Sequence, residues 1–246
     1  MVSDGARILA DLASSGDEPM LLAREVPGAI VAVCEDRALA GTLAESTLGA
    51  TVHLLDDGFQ HLALARDIDL VIVADADLAG RALPFGRLRE PVGALAAADA
   101  ILIDGDSQAA ARLGPPAFTL VRSHGTPVSV QPGPPWPPDR FPVVAVAGIA
   151  DPTRFYAMLE AEGWRLADRL TFKDHHRYGA ADIARIAGAV RSSGASGVLT
   201  TSKDAVRLTA VAPLPVPVAA VPLAIHITPG EPFREWLFGR LREARA

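Results

Sequence analysis

The chain has little of the chemistry that marks several classes of protein. Its 246 residues include one cysteine, Cys34, so it can form no internal disulfide and no cysteine-based metal cage. The 23 basic residues do not cluster, and the formal net charge is −6. These features favour a protein of a reducing compartment and argue against nucleic acid as a partner.

Long apolar runs are also absent. No stretch approaches the ~20 residues that a membrane-spanning helix needs, and the N-terminus lacks the basic start and apolar centre of a signal peptide. We therefore expect a soluble, cytoplasmic chain without a transmembrane segment. An apolar fraction of 50% excludes extensive disorder, and the length fits one large or two small domains.

Short apolar runs alternate with helical patterns along the sequence. The runs include "AIVAVC", "ATVHLL", "DLVIVADA", "PVVAVAG" and "GVLTTSKD". This rhythm predicts an α/β fold with a mostly parallel sheet and helices on both faces. Within it, the run Val52–Leu55 predicts a short buried strand that ends at two acids.

A proline-rich stretch interrupts the alternation. Residues 131–142 read "QPGPPWPPDRFP", and prolines oppose both helices and central strands. We therefore expect a linker here that separates a domain of residues 1–130 from a smaller α/β domain of residues 143–246. Beyond the linker, Asp151 and Pro152 predict the start of a helix, and Gly163 its end.

The acids of "DDGFQH" are candidate metal ligands. Asp56 and Asp57 follow the predicted strand, and one or two carboxylates at a strand end are how many phosphotransferases hold Mg²⁺. An acidic turn in which Gly58 supplies a positive φ explains the same residues about equally well.

Four other polar stretches have both a functional and a structural interpretation. Asp17 in "GDEP" is a candidate catalytic acid or base, although helix capping is the simpler explanation. The loop that contains Arg89 and Glu90 is a candidate for binding phosphate or metal, and the structural alternative is a solvated charged loop. His175 in "KDHH" suits proton transfer, and one of its two histidines is expected to be a surface residue. Lys203 in "TTSKD" lies at the start of a predicted helix, where the backbone amides could bind an anion. The structural alternative is an ordinary helix cap.

Together these stretches resemble one family, the tetraacyldisaccharide 4'-kinases of lipid A biosynthesis. The resemblance extends from "GDEPMLLAR" through "LLDDGFQH", "GRALPFGRLREP" and "FKDHHRYG" to "TTSKDAVRL", which is nearly the whole chain. It implies a P-loop-kinase-like α/β fold and ATP-dependent phosphorylation of the 4'-hydroxyl of the lipid A disaccharide precursor. It also implies Mg²⁺ as cofactor and peripheral contact with the cytoplasmic face of the inner membrane.

The resemblance assigns a role to each candidate residue. The family's catalytic aspartate falls on Asp17 and its histidine partner on His175, which we expect to meet as a general-base dyad across the two domains. Asp56 is then the first choice for a Mg²⁺ ligand and Asp57 the second, in one cleft with Asp17. The residues implied to contact nucleotide or substrate are Gln60, His61, Arg89, Glu90 and Lys203.

One element of the family's pattern is missing from these 246 residues. The family carries a membrane-associating helix and a Gly-Lys-Ser/Thr phosphate loop upstream of "GDEP". Here the two lysines, Lys173 and Lys203, both lie outside such a pattern. We therefore expect an N-terminally truncated kinase with impaired activity. The alternatives are a metal-dependent phosphoesterase that uses the "DHH" and "DD" residues, and a non-catalytic remnant that binds nucleotide or a partner.

Overall fold

A computed structural model of the chain describes residues 1–105, 112–132, 136 and 141–245. The chain forms two compact units. The first consists of Met1–His53 and His124–Leu223, and the second of Leu54–Ser123 and Ala224–Ala246. Each unit is therefore built from two separate segments of sequence.

The described residues alternate between strands and helices. In chain order the elements are β1 (Ser3–Asp4), α1 (Leu12–Ser15), α2 (Asp17–Glu25), β2 (Ile30–Val31), α3 (Arg37–Leu48), β3 (Leu70–Ala74), β4 (Ala100–Asp104), β5 (Ala117–His124), β6 (Val128–Ser129), β7 (Val143–Ala147), α4 (Pro152–Ala161), β8 (Leu166–Thr171), α5 (Ala180–Ser193), β9 (Val198–Thr201), α6 (Ser202–Thr209), β10 (Val218–Val221), β11 (Leu223–Thr228) and α7 (Gly230–Ala244). Short 3₁₀ turns lie at Asp75–Asp77 and Val92–Ala97.

A five-stranded sheet forms the centre of the first unit. Its strand order is β6-β10-β9-β7-β8, and all neighbouring pairs are parallel except β6 with β10. Successive residues of β7 point to opposite faces, as the pleat requires. Val144 and Val146 pack with α5 and α6 on one face, whereas Val143 and Ala145 pack with α4 on the other. Both faces of this sheet are therefore covered by helices.

The second unit contains a smaller sheet with the order β11-β5-β4-β3. Strands β3, β4 and β5 are parallel. Leu102 of β4 packs with Phe118 and with Phe233 of α7, and Ile101 packs on the other side with Leu95 of a 3₁₀ turn. Among the described residues, no helix has the length and apolar character that crossing a bilayer requires.

The predicted mixed α/β class, with parallel sheets flanked by helices, is confirmed. The helix start is also as expected, since the Asp151 side chain accepts a hydrogen bond from the Arg154 amide and Pro152 is the first residue of α4. The predicted strand at Val52–Leu55 is wrong. These residues form no strand, and Leu54 is 93% exposed. An apolar run becomes a strand only where a neighbouring strand pairs with it, and this run has no such pairing.

The two units differ from the predicted domains of residues 1–130 and 143–246. Strand β6 lies before the proline-rich stretch and β7 after it, yet both belong to the sheet of the first unit. Two contacts explain the difference: β6 pairs with β10, and Met20 of α2 packs with Val206 of α6, which brings the N-terminal segment into the same unit. Within the predicted linker, residues 133–135 and 137–140 lie outside the described part of the chain.

Candidate active site

The first candidate side chain, Asp17, lies at the start of α2. Helix α2 begins at Asp17, and Gly16 occupies the N-cap with a φ of +83°, which glycine adopts readily. No side chain caps this helix. The structural explanation of Asp17 as a helix cap therefore does not hold, and its carboxylate is directed to groups outside α2.

Helix α6 supplies a carboxylate that is completely buried. Thr201 caps the helix by accepting a hydrogen bond from the Asp204 amide, which places the Asp204 side chain in the first turn. That side chain has no exposed surface. It accepts hydrogen bonds from the amide of Gly148 (2.9 Å), the Thr201 hydroxyl (2.8 Å) and the Tyr178 hydroxyl (2.9 Å). Burial, and then the Asp204 charge, raise the pKa of Tyr178, so the phenol remains a donor.

Arg207 joins this buried carboxylate to Asp17. It follows Asp204 by three residues on α6, a spacing that brings the two side chains to one face of a helix. Its Nη1 donates to Asp204 Oδ1 (3.0 Å) and to the Gly148 carbonyl (2.8 Å). Its Nε donates to Asp17 Oδ2 (2.9 Å), and its Nη2 donates to the same oxygen. The Arg207 side chain is only 5% exposed, so both ion pairs lie largely out of water.

His175 approaches Asp17 from the loop after β8. Its Nδ1 lies 3.3 Å from Oδ1 and 3.2 Å from Oδ2 of Asp17. The backbone of His175 has a φ of +55°, a left-handed conformation that is uncommon outside glycine and often marks functional sites. The His175 side chain is 59% exposed, whereas that of Asp17 is 14% exposed. The pair therefore has one face toward solvent and one toward the protein.

Opposing effects act on the ionisation of Asp17. Partial burial is the largest effect and raises the pKa of its carboxyl, but the hydrogen bonds and charge of Arg207, the backbone amide of Asp17 and the nearby His175 together lower it more. The net pKa is below the ordinary value of 3.8. Asp17 is therefore an ionised hydrogen-bond acceptor at neutral pH, and His175 must donate through Nδ1–H.

A second polar connection joins α2 and α6. Lys203 pairs with Glu18, and Arg24 donates to the Thr209 hydroxyl at 3.2 Å. Met20 and Val206 pack together beneath these contacts. Lys203, a predicted nucleotide-binding residue, therefore has a protein partner in this structure.

The remaining predicted residues belong to the second unit. Arg89 Nη1 donates to Asp57 Oδ2 at 2.7 Å, and this hydrogen bond raises the pKa of the guanidinium. The positive φ expected at Gly58 occurs at Asp57 instead, where φ is +53°. Asp56 lies on the same exposed turn, and Glu90 is half-buried just before a 3₁₀ turn. Gln60 and His61 follow shortly after this turn in the sequence. Their contacts with nucleotide remain predictions.

The acidic turn has the chemistry of a magnesium site. Asp56 and Asp57 offer hard carboxylate oxygens, and Mg²⁺ is commonly held by one or two carboxylates together with water and substrate phosphates. Within the described part of the chain, no group of three or more His, Cys, Asp or Glu side chains is arranged to hold a metal ion. The shared cleft of Asp17, Asp56 and Glu90 stays a prediction, because Asp17 belongs to one unit and the other two residues to the second.

Three side chains of the Asp17 network are not among the residues predicted from the sequence: Tyr178, Asp204 and Arg207. All three lie inside stretches that were singled out, "FKDHHRYG" and "TTSKDAVRL". The available signal was the spacing of Asp204 and Arg207, an acid and a base three residues apart on a predicted helix. This spacing is common on exposed helices, which is why it did not distinguish a buried pair from a surface pair.

Comparisons with known proteins agree with the resemblance in the sequence. The family model described as tetraacyldisaccharide-1-P 4'-kinase matches residues 1–242. A tetraacyldisaccharide 4'-kinase of Geobacter metallireducens is 41% identical over 85% of this chain and 64% of its own length. One of Syntrophus aciditrophicus is 33% identical over 99% of this chain and 71% of its own length.

A solved structure has the same fold. The crystal structure of LpxK from Aquifex aeolicus in complex with ATP superposes with a TM-score of 0.75 at 27% identity, over 97% of this chain and 73% of that one. The chain spans less than two thirds of the length of the Geobacter relative. With a family model matched over nearly its whole length, the chain belongs to the tetraacyldisaccharide 4'-kinase family.

Proposed function

We propose that this chain contributes the catalytic dyad of an ATP-dependent kinase that phosphorylates the 4'-hydroxyl of a tetraacyldisaccharide 1-phosphate. Membership of the family and the fold shared with an ATP complex support this activity. The observation that carries it is the contact between Asp17 and His175, 158 positions apart in sequence, beside a buried arginine. These contacts with a histidine and a buried arginine distinguish Asp17 from an ordinary exposed aspartate.

The dyad supplies general-base chemistry. The 4'-hydroxyl oxygen forms a bond to the γ-phosphorus of ATP, the bond from that phosphorus to the β,γ-bridging oxygen breaks, and ADP leaves with the electron pair. The proton of the hydroxyl goes to Asp17, whose carboxylate His175 orients through Nδ1–H. Positioning and electrostatics dominate phosphoryl transfer, so a fixed carboxylate is the contribution expected of this unit.

The acidic turn of the second unit is the proposed place for the metal. Asp56, with Asp57 as second ligand, would hold Mg²⁺, which neutralises charge on the β- and γ-phosphates when bound. Arg89 would then exchange Asp57 for a phosphate oxygen, which is favourable because both side chains of this pair are more than half exposed. The further proposed contacts with nucleotide or substrate are Gln60, His61, Glu90 and Lys203.

The acceptor also suggests where the protein acts. A tetraacylated disaccharide is held in a bilayer by its acyl chains, whereas ATP is cytoplasmic. We therefore place the reaction at the cytoplasmic face of the inner membrane, with the protein in peripheral contact.

A second candidate is a non-catalytic protein that binds nucleotide. The observation that favours it is that these 246 residues have no Gly-Lys-Ser/Thr loop to position the β- and γ-phosphates. Binding of Mg-ATP without transfer would then be the whole activity. The phosphoesterase alternative has less support, because His176 of the "DHH" stretch pairs with Asp182 and stacks on Phe172.

The test is transfer of ³²P from γ-labelled ATP to the disaccharide 1-phosphate. The chain is assayed alone and with a Walker A segment joined upstream, and the product is mapped for the position of the new phosphate. The proposal expects Mg²⁺-dependent label at the 4'-position in the joined protein. Mg-ATP binding with no label in either protein would favour the non-catalytic candidate, and release of phosphate from a phosphodiester would favour the phosphoesterase.

A further inference from the structure

We propose that Arg207 is a positioning residue that fixes which oxygen of Asp17 is free to react. The proposal deepens the proposed function, since it concerns the same carboxylate. It assigns to Arg207 the tasks of holding Oδ2 and of leaving Oδ1 for the proton in transit. Arg207 itself is not proposed to contact a reacting atom.

The geometry at Asp17 separates its two oxygens. Arg207 donates to Oδ2 from both Nε and Nη2, so that oxygen has most of its acceptor capacity filled. No contact from Arg207 reaches Oδ1 among the hydrogen bonds of the described residues, whereas His175 Nδ1 lies near both oxygens, 3.3 Å from Oδ1 and 3.2 Å from Oδ2. The contacts of Arg207 therefore distinguish the two oxygens, since both of its donors bind Oδ2 and neither binds Oδ1.

The position of Arg207 is itself fixed from behind. Its Nη1 is held by Asp204 Oδ1 and by the carbonyl of Gly148. Asp204 cannot move aside, because Gly148, Thr201 and Tyr178 all donate to it. Burying the Arg207–Asp204 ion pair costs desolvation free energy. A role in fixing the geometry of Asp17 would explain why the pair is buried.

Only an arginine satisfies these contacts together. A guanidinium offers five N–H donors in a planar fork, and here the fork binds a carboxylate on one side and a carboxylate and a carbonyl on the other. A lysine in this place would keep the charge but lose the fork. Lysine at residue 207 should therefore keep Asp17 ionised while orienting it less well.

Other charged groups lie on the elements that pack against Asp17. They are Glu18 on α2, Lys203 on α6, and Asp174 and His175 on the loop after β8. Lys203 pairs with Glu18, and Asp174 Oδ2 lies 3.8 Å from Nε2 of the His175 imidazole, farther than either oxygen of Asp17 lies from Nδ1. Of the basic side chains in the described part of the chain, Arg207 and His175 are the two that contact the Asp17 carboxylate.

The test measures the titration of the Asp17 carboxyl carbon by ¹³C NMR in the 246-residue chain. Removing the charge and fork with Arg207→Gln should move the midpoint upward by about 1 to 3 pH units, because an adjacent cation lowers a carboxyl pKa by that amount. Arg207→Lys should move it less. Arg24→Gln, which removes an exposed arginine that bonds Thr209 on α6, is the matched control and should leave the midpoint unchanged.

If Arg207→Gln does not fold, a second variant provides the same test. Arg207→Gln combined with Asp204→Asn removes both buried charges and keeps groups that hydrogen-bond, and it should show the same upward movement. An Asp17 midpoint equal to that of the wild type in either folded variant would overturn the proposal. The titration needs no ATP and no acceptor, so it can succeed when transfer fails.

In a chain that transfers phosphate, failure of the positioning role of Arg207 can be distinguished from failure of the proposed kinase function. A positioning role predicts a lower kcat for Arg207→Lys with little change in the KM for ATP, because the orientation of the base is lost and the nucleotide contacts are not. Equal kcat in Arg207→Lys and wild type would overturn the assignment even if the kinase activity itself is established.

Discussion

Asp204→Ala is expected to lower the free energy of unfolding by about 3–5 kcal/mol. The side chain is completely buried, and its removal leaves the Arg207 guanidinium without its inner partner in a place that water does not reach. The Gly148 amide and the Tyr178 hydroxyl also lose their acceptor. Urea unfolding followed by circular dichroism measures the difference.

Two further variants show whether the charge or the hydrogen bonds matter most. Asp204→Asn keeps an acceptor for the surrounding donors, so it should cost less than Asp204→Ala. Glu25→Ala removes an exposed carboxylate at the end of α2 and should change stability by less than about 0.5 kcal/mol. A loss for Asp204→Ala no larger than that for Glu25→Ala would contradict the buried network as described.

Asp17→Ala and His175→Ala are each expected to lower kcat by about 100- to 10,000-fold in a chain that transfers phosphate. This range is the contribution of a positioned general base. If the two side chains act as one unit, the double variant should lose little more than the worse single variant, because coupled catalytic groups are strongly non-additive. Initial rates of phosphate transfer at saturating ATP measure all three.

A histidine outside the network provides the control. His53→Ala removes an exposed ring that pairs with Glu45, and it should leave kcat unchanged. Losses that multiply fully in the double variant, or unchanged turnover in His175→Ala, would show that Asp17 works without His175. The family membership and the fold would still hold in that case.

Local sequence features predicted the parts of the fold that depend on near neighbours. The start of α4 follows from Asp151 and Pro152, whose capping bond and fixed φ act within one turn. The two-faced packing of β7 follows from an apolar strand that alternates direction at each residue. These features need no knowledge of distant residues, so the sequence was sufficient for them.

Features that depend on distant partners were not predicted from local patterns. The apolar run at Val52–Leu55 has the composition of a strand, but no strand pairs with it. The pairing of β6 with β10 joins segments on the two sides of the proline-rich stretch and changes the division of the chain. In both cases the outcome depends on whether a strand far away in sequence pairs with the segment.

The candidate site shows the same distinction. No local rule requires Asp17 to meet His175, and their contact was expected only from the family resemblance. Arg207 was missed because its role depends on two carboxylates at once, one on its own helix and one 190 positions away. A buried network of this kind becomes visible only when the packing of α2 against α6 is known.

Asp17 and His175 form one hydrogen-bonded unit in this structure. A ¹H–¹⁵N correlation spectrum of the His175 ring in the 246-residue chain, recorded where the imidazole is neutral, tests it most directly. We expect a proton on Nδ1 and none on Nε2, because the ionised Asp17 carboxylate can only accept. We also expect Asp17→Asn to change this spectrum. A proton on Nε2 in the wild type, or a ring spectrum that is the same in Asp17→Asn, would contradict the dyad.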